Sequence, residues 1–128
     1  MTFSLYATAV LLALTLGGLA DTARSEEPTN APPGSYARAH YDLLVVENCG
    51  LLIAEVMRGF ELARDERRLA EGLGDEAARI ARSGAGIAFE REWHNRGLGG
   101  SRPWCRVEGK AAALAFFARY IDQRYRAP

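Results

Sequence analysis

The chain has 128 residues, which is enough for one domain and too few for two. Its 16 basic and 16 acidic residues leave no net charge, which argues against a nucleic-acid-binding protein driven by bulk charge. The charge is unevenly spread, because residues 94–128 contain seven basic and two acidic side chains. Either the rest of the chain neutralises this segment, or the segment offers a basic face to an acidic partner.

The N-terminal residues have the pattern of an export signal. Residues 1–20 carry no charged side chain, and small residues, Gly18 and Ala20, stand at the positions that a signal peptidase reads, which predicts a secretory signal peptide cleaved after Ala20. The alternative is an uncleaved membrane anchor, since about eighteen apolar residues suffice to cross a bilayer as a helix. Residues 21–35 contain three prolines and no large apolar residue, which predicts a disordered linker before a helical domain at 36–128.

Two features of the composition indicate where the protein goes. Fifteen arginines against one lysine, with abundant alanine, are typical of a GC-rich and therefore bacterial genome. Cys49 and Cys105 are the two cysteines, and an even count in an exported chain predicts one disulfide between them. In the chain-entropy treatment such a bridge stabilises the fold by roughly 4 kcal/mol. The alternatives are two free thiols in a cytosolic protein, or an intermolecular bridge.

The first two predicted helices lie on either side of Cys49. Ser35 is placed to cap a helix that begins near Tyr36 and stops at Gly50. A second helix is expected over 51–71, because apolar residues recur there at helical spacing with charged residues between them.

The third and fourth helices occupy the rest of the domain. Asp75 is expected to cap the third, and the glycines within 83–86 predict a kink or short break, since each costs roughly 1 kcal/mol relative to alanine. Pro103 suits the first turn of the fourth helix. Apolar side chains follow it in steps of three and four, as in an amphipathic helix with one face turned to the core. This stripe comprises Trp104, Val107, Ala111, Leu114, Ala118, Ile121 and Tyr125, and Phe116 and Phe117 widen it.

These elements predict an all-α fold, either a small four-helix bundle or an orthogonal helical array, with one disulfide. The disulfide would tie the end of the first helix to the start of the last.

The sequence shows no pattern typical of a metal, haem or catalytic site. It has two histidines, His40 and His94, and lacks the HExxH, CxxC and CxxCH patterns. Glu90 and His94 stand four residues apart and are interpreted as a surface pair near a helix end. The disulfide removes a cysteine nucleophile, and there is no GxSxG elbow. We therefore expect neither an enzyme nor a cofactor.

The loop HNRGLGGSRPWC, residues 94–105, is rich in glycine and precedes the last helix. Its spacing matches neither GxGxxG nor the P-loop pattern, so the simpler interpretation is a connector that delivers Cys105 to its disulfide. The alternative is an anion-binding loop at 96–103, where arginines would assist a helix N-terminus. The simpler interpretation of the two tryptophans beside this loop is that they cap the core. Tryptophan and arginine also dominate protein-interface hot spots, so the candidate interaction or anion surface comprises Trp93, Arg96, Arg102, Trp104 and Arg106.

The general plan of export signal, small helical domain and single disulfide resembles that of periplasmic acid-stress chaperones and of helical immunity proteins. We predict an exported, periplasmic or secreted, protein-binding module that acts as an accessory subunit, inhibitor or chaperone-like protein. The alternatives are a module for an anionic small molecule at 96–103 and, less favoured, a small enzyme or a metal or haem protein. No nucleic-acid partner is expected, and membrane contact is expected only if residues 1–20 remain as an anchor.

Overall fold

A computed structural model describes residues 31–96 and 99–126. Its elements are α1 (Tyr36–Asn48), α2 (Ala54–Glu71), α3 (Asp75–Asn95), α4 (Ser101–Trp104), a π-helical turn (Cys105–Gly109) and α5 (Lys110–Arg126). The last three follow one another without a break and are called the last helix. The described residues thus form four helices and contain no strand, which confirms the predicted all-α class. The predicted signal peptide and residues 21–30 of the predicted linker lie outside this part of the chain.

Local backbone chemistry sets the ends of α1. The Ser35 hydroxyl accepts a hydrogen bond from the Arg38 backbone N–H at 3.1 Å, which confirms the predicted cap. At the other end Gly50 adopts φ +70°, a conformation that side chains disfavour, and the Leu51 N–H donates to the Val46 carbonyl at 3.0 Å. The left-handed glycine therefore turns the chain out of α1 at the predicted position.

Two helix starts differ from the prediction. α2 begins at Ala54 and not at 51, because the chain after the left-handed turn is still extended at Ile53. The cap of α3 is Gly74 and not Asp75. Asp75 is instead the first helical residue, where its carboxylate accepts a hydrogen bond from Arg68 at 2.5 Å. The aspartate thus helps to join the ends of α2 and α3.

α3 continues without interruption through residues 83–86, where a kink or short break was expected. Ala85 in this stretch and the nearby Ala88 are buried against α1. This tertiary packing offsets the low helix propensity of the neighbouring glycines.

α1 lies between two hydrophobic cores and supplies side chains to both. The core that it shares with α2 and α5 comprises Ala39, Val46, Val56, Phe60, Ala63 and Phe116. The core that it shares with α3 and α4 comprises Tyr41, Val45, Ala85, Ala88, Phe89 and Trp104. α1 therefore couples α3 to the pair formed by α2 and α5.

α2 and α5 make the closest contact between helices. A Cβ added at Gly59 would lie 1.7 Å from the carbonyl oxygen of Phe116, so the two backbones touch there. Further along, the Arg119 guanidinium donates a hydrogen bond to the Glu66 carboxylate at 2.9 Å. These contacts fix the side of α5 that carries Phe116 as its buried side.

The predicted disulfide is confirmed. Cys49 and Cys105 are bonded, with a Cα–Cα distance of 5.4 Å, and they join the end of α1 to the start of the last helix. Gly109 packs against the bridge, because a Cβ at that position would lie 3.0 Å from the Cys49 sulfur. The bridge therefore holds the π-helical turn close to α1.

Candidate interaction surface

Trp104 belongs to the core and offers no surface to a partner. It is 2% exposed, and its ring stacks on Phe89 with 5.9 Å between the ring centroids. The ring centroid of the half-buried Trp93 lies 5.8 Å from that of Trp104. The Trp104 indole N–H donates a hydrogen bond to the Glu108 carboxylate. The two tryptophans of the predicted surface thus form an aromatic core with α3.

Arg96 covers this aromatic core. Its guanidinium lies over the Trp104 ring, 4.1 Å from the centroid, which is the geometry of a cation–π contact. It also donates a hydrogen bond to Glu92 at 2.6 Å and lies 3.9 Å from Glu108. Because two carboxylates already face this cation, Arg96 is poorly placed to bind a further anion.

The described glycines of the loop have conformational roles, while residues 97–98 lie outside the described part of the chain. Gly99 adopts φ +81°, and a Cβ at Gly100 would lie 2.0 Å from the Arg96 carbonyl oxygen. Both positions therefore require glycine for a tight connection between α3 and α4. This geometry favours the connector interpretation of the loop.

A row of apolar side chains on the last helix faces outward. We call it the outer row, and it comprises Val107, Ala111, Leu114, Ala118, Ile121 and Tyr125. Val107 is 69% exposed, Leu114 56% and Tyr125 80%, and the two alanines are exposed as well. Of the stripe predicted to face the core, Trp104 and Phe116 are buried. The prediction is wrong for the outer row, in which Ile121 alone is half-buried.

The π-helical turn explains why the outer row points away from the core. Between Cys105 and Gly109 the turn holds one more residue than an α-helical turn, and one residue corresponds to about 100° of rotation. The residues that follow are therefore rotated relative to Trp104. Gly109 and Phe116 face the core in place of the outer row.

Charged residues flank the outer row, since residues seven apart lie on the same side of a helix. One flank carries Lys110, Phe117 and Arg124, and the other carries Glu108, Ala115 and Asp122. Both carboxylates face arginines of this chain, Glu108 facing Arg96 at 3.9 Å and Asp122 facing Arg126 at 3.0 Å, whereas Lys110 and Arg124 form no ion pair within the described residues. The charge left over beside the outer row is therefore positive.

Three exposed cations extend this positive charge at the start of the last helix. Arg102, Arg106 and Lys110 follow one another at intervals of four residues. None of them forms an ion pair with any residue of 31–96 or 99–126. Arg102 and Arg106 are the members of the predicted surface that remain available to a partner.

A second exposed apolar surface lies on α3. Ile80 and Ile87 stand seven residues apart and are 58% and 60% exposed. Ile87 borders an open groove of about 600 Å³ between α1 and α3, which Leu44 and Phe89 also line. Glu90 is the one charged residue of its lining, so the groove suits apolar contacts better than ionic ones.

His40 is a buried polar residue within the fold. It is 8% exposed, and its ring packs edge-on against Tyr36 and Phe60, with centroid distances of 4.7 and 5.3 Å. Burial, assisted by the positive charges of Arg82 and Arg64, lowers the pKa of His40 to about 4. The imidazole is therefore neutral at physiological pH and serves in packing.

The second histidine lies at the surface. His94 Nδ1 is 3.7 Å from the Glu90 carboxylate, and both side chains are exposed, which confirms the predicted surface pair. Within the described residues, no three side chains of His, Cys, Asp or Glu are grouped so as to hold a metal ion.

No protein-family model, curated protein or solved structure matches this chain. Among the helices of the described residues, none combines the length and apolar character needed to cross a membrane.

Proposed function

We propose that this chain is a small exported binding module that contacts another protein through the outer row. As an accessory subunit, inhibitor or chaperone-like protein, it would act by covering a surface of its partner. The observation that carries the proposal is the exposure of Val107, Leu114 and Tyr125, each more than half accessible on one face of a packed helix.

Single exposed apolar residues are ordinary in proteins, but a contiguous row is not. The outer row recurs at every turn from Val107 to Tyr125, over about 27 Å at the α-helical rise. Rows of this kind mark interaction sites, since water contact with them is unfavourable and a partner removes it. Arg102 and Arg106 border the row at its N-terminal end and can make charged contacts at the rim.

Export is supported by the disulfide between Cys49 and Cys105. Structural disulfides persist in oxidising compartments such as the periplasm or the cell exterior, and they are rare in the cytosol. The uncharged sequence of residues 1–20 supports the same location.

Site-specific photo-crosslinking in the natural host tests the proposed surface. A benzophenone amino acid at Ala118 places the reactive group within the outer row. The same group at Leu69, which is 83% exposed on α2, is the control for non-specific capture. We expect one discrete heavier adduct from position 118 that Leu114→Gln weakens, and no such adduct from position 69. Equal labelling at the two positions, or none at 118, would contradict the proposal.

A further inference from the structure

We infer that the partner presents an amphipathic helix whose apolar residues follow the coiled-coil spacing and whose flank is acidic. This inference rests on the proposed function and adds the chemistry of the occupant. Its grounds are the spacing of the outer row and the positive charge of the last helix. A second copy of this chain and an anionic lipid surface fit these two features less well.

The spacing of the outer row matches the seam of a coiled coil. Its members follow one another in steps of four, three, four, three and four, which is the heptad period of 3.5 residues. Val107, Leu114 and Ile121 take one core position of the heptad, and the small Ala111 and Ala118 alternate with them. A large residue of a partner helix would fit over each alanine, as a knob fits a hole.

The charge of the last helix specifies the flank of that partner. Residues 101–126 contain six basic and two acidic side chains, a net charge of +4. The basic residues are Arg102, Arg106, Lys110, Arg119, Arg124 and Arg126, and the acidic ones are Glu108 and Asp122. Arg119 pairs with Glu66 of α2, and Arg126 pairs with Asp122. The other four cations of the helix form no ion pair with any residue of 31–96 or 99–126, so a partner can still neutralise them. Acidic residues beside a partner's apolar seam would do so.

A second copy of this helix meets the charge requirement poorly. Lys110 and Arg124 lie on the same flank, so an antiparallel pair of last helices would place the two cations against each other across the seam. In a parallel pair Lys110 would face Ala115, and no opposite charge would meet it. Self-association through the outer row therefore gains no ionic complementarity.

An anionic lipid surface also fits less well than a helix. A helix that lies in a membrane interface buries a wide apolar face. Here the apolar face is only as wide as a coiled-coil seam, because charged residues border the outer row on both sides.

Designed peptides test the inference directly. One labelled peptide of about four heptads carries leucine at both seam positions and glutamate on the flanks, and its matched control carries lysine on the flanks. Fluorescence anisotropy with the folded, oxidised protein measures both affinities at about 50 mM salt and again at about 500 mM. We expect the glutamate peptide to bind at least about tenfold more tightly, and this preference to shrink at high salt. Leu114→Gln should weaken its binding by about tenfold or more, while Leu69→Gln should not.

Circular dichroism of both variants shows whether they keep the helical content of the parent. Equal affinity for the two peptides would overturn the acidic flank but leave the outer row as a protein-binding surface. No binding by either peptide would overturn the inference, and the photo-crosslinking experiment would still decide the proposed function. Binding to phosphatidylglycerol vesicles that Leu114→Gln abolishes, without peptide binding, would assign the surface to a membrane. A concentration-dependent dimer that Leu114→Gln dissociates would assign it to a second copy.

Discussion

Mild acid should destabilise this protein through His40. The ring is buried between Tyr36 and Phe60, and burial together with Arg82 and Arg64 lowers its pKa from 6.5 to about 4. Because the pKa is lower in the folded state, the unfolded chain binds the proton more tightly at intermediate pH. The stability contributed by neutral His40 is therefore complete above about pH 6.5 and is lost as the pH falls towards 4.

The magnitude follows from the two pKa values of His40. A pKa of 6.5 in the unfolded chain and of about 4 in the folded protein lowers the free energy of unfolding by about 2.5 kcal/mol at pH 4.5. The full loss, reached below pH 4, is about 3 kcal/mol. A small domain has a free energy of unfolding of about 5–15 kcal/mol, so the loss is a large share of it. Asp42 acts in the opposite direction, because burial raises the pKa of its carboxyl and protonation then favours the folded state. A matched variant is needed to separate the two.

Urea unfolding followed by circular dichroism at pH 7.0, 5.5 and 4.5 measures the effect, with His40→Phe as the variant that cannot titrate. Phenylalanine keeps an aromatic ring between Tyr36 and Phe60. The free energy of unfolding of the parent should fall by about 2.5 kcal/mol more than that of His40→Phe between pH 7.0 and 4.5. His94→Gln, at an exposed histidine, should follow the parent. Equal declines for the parent and His40→Phe would refute the role given to His40.

Three further predictions concern packing and the loop. Reduction of the Cys49–Cys105 bridge should lower the free energy of unfolding by roughly 4 kcal/mol, which urea titrations with and without reductant would measure. The same urea midpoint under both conditions would contradict this prediction. Gly59→Ala should lower the free energy of unfolding by about 2 kcal/mol or more, measured by thermal unfolding, because the added Cβ meets α5. Gly84→Ala, in open space on α3, should raise it by up to about 1 kcal/mol. Similar effects of the two changes would argue against the contact between α2 and α5. Phosphate and sulfate should cause no saturable rise in Tm in a thermal-shift titration, because Arg96 is already held by carboxylates and Arg102 and Arg106 are exposed to solvent. A saturable rise would revive the anion-binding interpretation.

Helix ends and the disulfide were predictable because they depend on residues close in sequence or on simple pairing. The Ser35 side chain caps the start of α1, and the left-handed backbone of Gly50 turns the chain at its end. Two cysteines allow one intramolecular bridge, and the structure contains it. The start of α2 was less accurate, because the extended Ile53 carries no side-chain cap that would mark the boundary.

The buried face of the last helix was not predictable from apolar spacing. Such spacing assumes an uninterrupted α-helix, and the π-helical turn breaks that assumption. Gly109 was the one local sign of it, but its meaning depends on the Cys49 sulfur that packs against it in three dimensions. The turn also moved the candidate surface, because Trp104 before it faces the core, as the predicted stripe requires, while Leu114 after it faces away from the core.

The π-helical turn also makes the exposed face of the last helix depend on the presence of a single residue. Loss of a single codon between Cys105 and Gly109 would restore an ordinary α-helix and turn every later residue by about 100°. No side chain downstream would change, yet a different face of the helix would be turned towards solvent. A lineage can therefore acquire or abandon this display in one genetic event, provided that α2 repacks against α5. The gain or loss of a partner would then be recorded as a length difference of one residue in an otherwise conserved helix.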